Sequence, residues 1–172
     1  MRLLITGTPA TGKTSIAYEL SKILKLPYID VKEVIKSHPE TVDRVEDNEL
    51  IINEKLRLVL QKELPLDCIF ETHLIEYCPK PGLTVILRTK PAILKKRMLE
   101  RKYSLQKIRD NVEVELLDYF TQMVKSNKVI EYDSSFGTAK DNAKKIRELI
   151  EKKRYNKGKI SYSAKEIRQA LV

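Results

Sequence analysis

A chain of 172 residues with 42% hydrophobic and 33% charged side chains can bury one real core and is too apolar for a disordered or fibrous protein. Its two cysteines cannot build a disulfide framework or a four-ligand zinc site, and no run of about eighteen apolar residues offers a membrane helix. The formal charge of +9 points to anionic partners or to a solvated lysine-rich surface, without choosing between them.

In chain order, Arg2 to Thr6 is a short apolar run ending at Gly7, which predicts a buried strand running into a tight loop. MRLLITG reaches Gly, Pro and Thr too soon for a secretory signal, so a soluble, cytoplasmic chain is expected. After Lys13-Thr14, the residues Ile16, Ala17, Leu20, Ile23 and Leu24 recur at helical spacing until Pro27. Pro27 to Asp30 predicts a second strand, and Val31 to Lys36 a helical turn before the Ser37-His38-Pro39 break. Glu46 to Glu63 predicts a helix carried by Leu50, Ile51, Leu56, Val59 and Leu60. Strands are expected at Leu66 to Glu71 and at Leu83 to Arg88. Pro91 starts a helix striped by Leu94, Met98 and Leu99; Asn111 to Val124 reads as one long amphipathic helix, Lys128 to Tyr132 as a strand, and Ala139 to Lys153 as a closing helix. Strands alternating with helices predict an α/β fold, a parallel sheet covered on both faces. The basic tail from Arg154, with a helical pattern after Ser163, is expected as a docked or frayed extension to a core of residues 1–153.

Gly7-Thr8-Pro9-Ala10-Thr11-Gly12-Lys13-Thr14 fits G-x-x-x-x-G-K-[ST] between a strand and a helix, the context a phosphate-binding loop requires. The glycines let backbone N–H groups converge on phosphate oxygens, and the helix N-terminus adds positive potential. Lys13 can reach the β- and γ-phosphates and Thr14 can ligate Mg²⁺. A Cβ at Ala10 crowds the phosphate unless that residue keeps φ below zero.

A magnesium site also wants a carboxylate at the end of a neighbouring strand, which Glu71 supplies. His73, two residues on, lies on the same side of an extended segment and can orient water or a phosphate; the alternatives are a plain strand-end carboxylate and a hydrogen-bonded loop histidine. Phosphoryl transfer needs further cations. Arg97 and Arg101 lie one helical turn apart within the cluster Arg88, Arg97, Arg101 and Arg109, and Arg101 is the favoured candidate, against a solvated basic face.

ITGTPATGKTS, FETHLIEYCP and VILRTKPAILKKRMLERKYSLQKIRDNVEVEL together resemble the adenylate kinase 6 family, adenylate kinase/ATPases whose eukaryotic members also act in small ribosomal subunit maturation. The resemblance covers residues 1 to 150 or so. It implies a three-layer, P-loop nucleoside monophosphate kinase-like fold with a roughly five-stranded parallel sheet. It also implies ATP phosphate contacts at Ala10, Gly12, Lys13, Thr14 and Ser15, with Arg101 closing from a short lid at 100–110. A mononucleotide-binding segment is implied at 30–53, with the AMP phosphate on Arg44 and Arg88. Adenine would lie near Asp133-Ser134-Ser135 and the loop to Thr138, where a turn and helix cap is the alternative. Ala10 stands where the family usually has glycine and Glu71 where it usually has aspartate, departures that imply slower catalysis.

The activity implied is transfer of the ATP γ-phosphate to AMP, with Mg²⁺ as cofactor and ATP hydrolysis on the side. Two other readings stand beside it: an assembly factor using ATP as a switch on a small-subunit ribosomal protein or pre-ribosomal particle, and a P-loop kinase for another small acceptor. Acidic Glu40, Asp43, Glu46, Asp47 and Glu49 offer a surface for a basic protein, or a solvated helix start; direct RNA contact by the basic tail is left open.

Overall fold

The computed structural model describes residues 1–46 and 49–171, the side chains of 168–171 excepted. The strands are β1 (Arg2–Gly7), β2 (Tyr28–Asp30), β3 (Val42–Glu46), β4 (Glu49–Ile52), β5 (Cys68–Glu71), β6 (Leu83–Arg88) and β7 (Val129–Asp133). Between and after them run α1 (Lys13–Leu24), α2 (Val31–Ser37), α3 (Lys55–Glu63), α4 (Pro91–Glu100), α5 (Leu105–Leu116), α6 (Tyr119–Met123), α7 (Ala139–Glu151) and α8 (Ala164–Leu171).

Five strands form one parallel sheet in the order β2-β5-β1-β6-β7. The alternation of side chains along each strand divides the core in two. Leu3, Ile5, Ile69, Val85, Leu87 and Ile130 face α1 and α7, where Ile16, Leu20, Ala143 and Ile146 meet them. Leu4, Phe70 and Ile86 face the other way, under α2, α3 and α6. The result is the three-layer arrangement expected, and β1 sits at its centre with the phosphate loop at its C-terminal end. Cys68 and Cys78 are both free, and Cys68 is buried in the core.

Two expected helices come out differently. Glu46 to Glu63 is not one helix: Glu49–Ile52 pairs antiparallel with Val42–Glu46, with Val45 opposite Leu50, and helix begins only at Lys55. The apolar Leu50 and Ile51 fit either period, and the partner strand decides. The expected Asn111 to Val124 helix breaks at Asp118, whose left-handed backbone (φ 53°) ends α5 and turns its carboxylate to Arg88. The segment expected as a lid is a turn at 101–104 followed by α5, which Ser104 caps by accepting from the Lys107 N–H.

The tail is docked. Asn156 donates its backbone N–H to Val129 O, and its side-chain amide bonds both the N–H and the C=O of Glu131, extending the edge of β7 as a strand would. The N–H groups of Lys159 and Ile160 then converge on Glu131 Oε2 at 3.1 Å each, and α8 packs on α4 and α5. No helix among the described residues is long and apolar enough to cross a membrane.

Candidate active site at the C-terminal ends of the strands

Backbone conformation builds the loop after β1. Gly7 has φ 138°, and a Cβ there would sit on the carbonyl oxygen of Leu87 in β6; only glycine allows the chain to leave the sheet this close to its neighbour. Gly12 caps α1 in the left-handed region at φ 93°. Ala10 also has positive φ, 68°, the case in which its Cβ was expected to crowd the phosphate. Its methyl avoids crowding by turning into an apolar cluster with Leu94, Met98, Ile108 and Val112, so burial offsets a left-handed penalty of about 1–2 kcal/mol.

The loop opens on a cavity of about 430 Å³. Among the described residues, Lys13, Lys32, Lys36, Arg101 and Lys107 line it against the carboxylates of Glu49 and Glu71, a balance that suits an anionic ligand. Gly12, Thr14, Ser15, Ala10 and His73 also face it. Lys13 folds back over its own loop, its Nζ donating to Gly7 O (2.9 Å) and Thr8 O (3.1 Å). Desolvation lowers the lysine pKa to about 8 despite the attraction of Glu71, so the charge is held where protein alone does not favour it.

Thr14 Oγ1 donates to Glu71 Oε1 at 2.6 Å, bringing together the two groups read as cation ligands. They are hard oxygen donors of the kind that magnesium takes; among the described residues no group of three or more His, Cys, Asp or Glu could hold a metal. Tyr28, which the sequence did not single out, places its hydroxyl 3.5 Å from the same carboxylate oxygen. His73 stands at the mouth of the cavity. Desolvation first, then the nearby cations Lys13 and Lys32, hold its pKa down to about 4, so the ring is neutral at pH 7 although much of the residue meets solvent.

Arg97 and Arg101 part company. Arg101 caps α4 and faces the cavity, whereas Arg97 Nη2 donates to the carbonyl oxygens of Ser134 (2.8 Å) and Ser135 (3.0 Å), tying the loop after β7 to α4. Ser134 Oγ in turn lies 2.8 Å from Thr11 O, and Thr138 caps α7. Asp133 accepts from the Ser135 N–H and Ser135 Oγ accepts from the Lys90 N–H, so these residues form a turn ahead of α7.

The two expected AMP arginines do not meet at the cavity. Arg88 is buried, pairing through Nε with Glu115 (2.6 Å) and through Nη2 with Asp118 (2.5 Å), because α5 and the turn after it each bring a carboxylate to the end of β6. It is not among the residues that line the cavity. Arg44 is exposed on the hairpin and pairs with Glu46 at 3.1 Å. Lys32, at the start of α2, and Lys107, on α5, supply cavity charge instead. Neither carries a motif; their positions arise from folding alone. Of the acidic group, Glu49 pairs with Lys107 across the cavity mouth at 2.6 Å, Asp43 accepts from Asn53, and Asp47 lies outside the described residues.

Residues 3–118 match the family model described as "AAA domain". A protein of Methanocaldococcus jannaschii named "Putative adenylate kinase" is 31% identical over 169 residues, covering 96% of this chain and 94% of that one. Another of the same name, from Pyrococcus abyssi, is 33% identical over 154 residues, covering 87% and 84%. Among solved structures, shikimate kinase from Acinetobacter baumannii in complex with shikimate superposes with a TM-score of 0.64 over 90% of this chain and 95% of that one; at 18% identity this likeness concerns the fold.

Proposed function

Since this chain belongs to the adenylate kinase family of P-loop proteins, we infer that it transfers the γ-phosphate of ATP to AMP, and to water slowly when no acceptor is bound. The reading rests on one observation: the Thr14–Glu71 pair lies next to Lys13 in a cavity that Arg101 also lines. In transfer, an oxygen of the acceptor phosphate bonds to the γ-phosphorus while the bond to the β,γ-bridging oxygen breaks, and negative charge spreads over the γ-oxygens and the leaving group. The loop amides and Lys13 cradle the β- and γ-phosphates, and Arg101 offers a planar fork to the transferring group. Thr14 and Glu71 would hold a Mg²⁺ ion, which would supply counter-charge to the donor phosphates.

On the acceptor side Lys32 takes the role first assigned to Arg88, and the wall of Ile35, Leu50, Ile52 and Leu74 gives a base an apolar surface. Arg44 can join only if the hairpin closes over the acceptor. The membership defines a kinase, and the acceptor is the finer question. ADP formation from ATP with AMP, CMP, UMP or no acceptor decides it: AMP should stimulate far above the others, and equal rates with and without AMP would sink the proposal. An ATPase switch in ribosome assembly, which the resemblance also implies, predicts hydrolysis that no acceptor accelerates.

His73 is neutral at pH 7, which suits it to orient a water rather than to act as a phosphate cation. His73→Ala should therefore lower hydrolysis without acceptor by about tenfold or more while transfer to AMP falls much less. Equal losses in both reactions would assign it to organising phosphate or metal, and unchanged hydrolysis would remove it from the mechanism.

A further inference from the structure

The C-terminal tail reaches the phosphate loop through one buried carboxylate. Glu115 of α5 is 2% exposed. Its Oε2 accepts from Thr8 Oγ1 of the phosphate loop at 2.5 Å, and its Oε1 accepts from Tyr162 OH of the tail at 2.5 Å and from Arg88 Nε at 2.6 Å. Thr8 is wholly buried, and its carbonyl oxygen accepts from Lys13 Nζ (3.1 Å) and from Thr11 Oγ1 (2.8 Å). Tail, helix, loop and loop lysine thus form one continuous series of hydrogen bonds. The tail that carries Tyr162 is anchored on both sides of it, by Asn156 on β7 and by the Glu166–Lys90 pair at 3.0 Å.

We propose that the C-terminal segment is a positioning part of the nucleotide site: the Tyr162 hydroxyl orients Glu115, and Glu115 holds Thr8, so that the tail sets the shape of the phosphate loop. The physical ground is satisfaction of a buried carboxylate. Glu115 must have donors around it, and the directions of those donors fix where its second oxygen can point. Removing one donor from the tail side lets the carboxylate rotate towards Arg88 and Thr89, and Thr8 loses its fixed partner. Tyr162 is suited to donating throughout the working pH range, since burial and the facing carboxylate push its pKa up. Its ring also lies 5.2 Å from the Arg88 guanidinium, so Phe at this position preserves the packing while removing only the hydroxyl.

This proposal rests on the phosphate-loop reading, and titration of the unaltered protein with a fluorescent ATP analogue in the presence of Mg²⁺ checks that reading first. If the unaltered protein does not bind the analogue, the kinase reading itself falls. Given binding, Tyr162→Phe should raise the ATP-analogue Kd about five- to tenfold, the scale of one ordinary net hydrogen bond felt through the loop, while the KM for the acceptor stays within twofold. Thr8→Val should give a similar rise, and the double variant should add little to either, because both remove parts of one series. An unchanged Kd in Tyr162→Phe, equal effects on donor and acceptor, or fully multiplicative effects in the double variant would overturn the proposal. Asn156→Ala, which loosens the tail at β7 without touching the series, guards against a misfolded Tyr162→Phe: the same donor-selective rise supports the proposal, and unaltered donor affinity refutes it.

Discussion

Lys13→Ala is expected to lower transfer and hydrolysis by about a hundredfold to a thousandfold or more, the scale of losing one preorganised contact to charge that develops in the transition state. The fold should survive the change. Among the described residues the ammonium bonds to two carbonyl oxygens of its own loop, and its surroundings lower its pKa to about 8, chiefly by desolvation. A cation held against its preference contributes little to stability, so the melting temperature of Lys13→Ala should match or slightly exceed that of the unaltered protein. Steady-state ADP production and a thermal melt read the two effects separately. Undiminished turnover would remove Lys13 from the phosphate site, and a lost fold with lost turnover would make it structural.

Glu115→Ala should show the opposite pattern, a large loss of stability. The carboxylate is 2% exposed and faces the equally buried Arg88, with Thr8, Thr89 and Tyr162 also donating to it. Deleting it leaves a guanidinium inside the protein whose remaining charged partner among the described residues is Asp118, 42% exposed. Breaking such a pair from one side costs about 3–5 kcal/mol, because the remaining charge keeps its desolvation penalty. For a chain of this length that lowers the melting temperature on the order of 10 °C. Urea unfolding measures it directly, and a loss below about 1 kcal/mol would mean that water reaches Arg88. Replacing both partners, as Arg88→Met with Glu115→Met, should recover part of the loss, since no buried charge is then left unpaired and the Asp118 carboxylate, 42% exposed, is solvated.

Arg88 also shows where one-dimensional reading stops. An arginine at the C-terminal end of a central strand is well placed for a phosphate, and its local sequence is the same whether it serves one or not. The carboxylates that claim it come from positions 115 and 118, across the α4–α5 pair, and the second is available only because α5 breaks at a left-handed Asp118. The β3–β4 hairpin teaches a related lesson. Leu50 and Ile51 satisfy a helical stripe and a strand equally well, and the antiparallel partner that selects strand begins at Val42.

By itself the sequence determined the alternation of strand and helix, the phosphate loop with its two glycines, and the nearness of Thr14 to a strand-end carboxylate. Each of these follows from short-range chemistry: side-chain period, backbone freedom and the ordering of strands around β1. Tertiary structure alone decided which cations face the cavity. Lys32, Arg101 and Lys107 converge there while Arg88 and Arg97 turn inward, and the tail reaches Thr8 through Tyr162 and Glu115. The reason is physical. A charged side chain goes to the partner that best offsets its desolvation, and which partners are within reach is a property of the packed elements, not of the neighbouring residues in the chain.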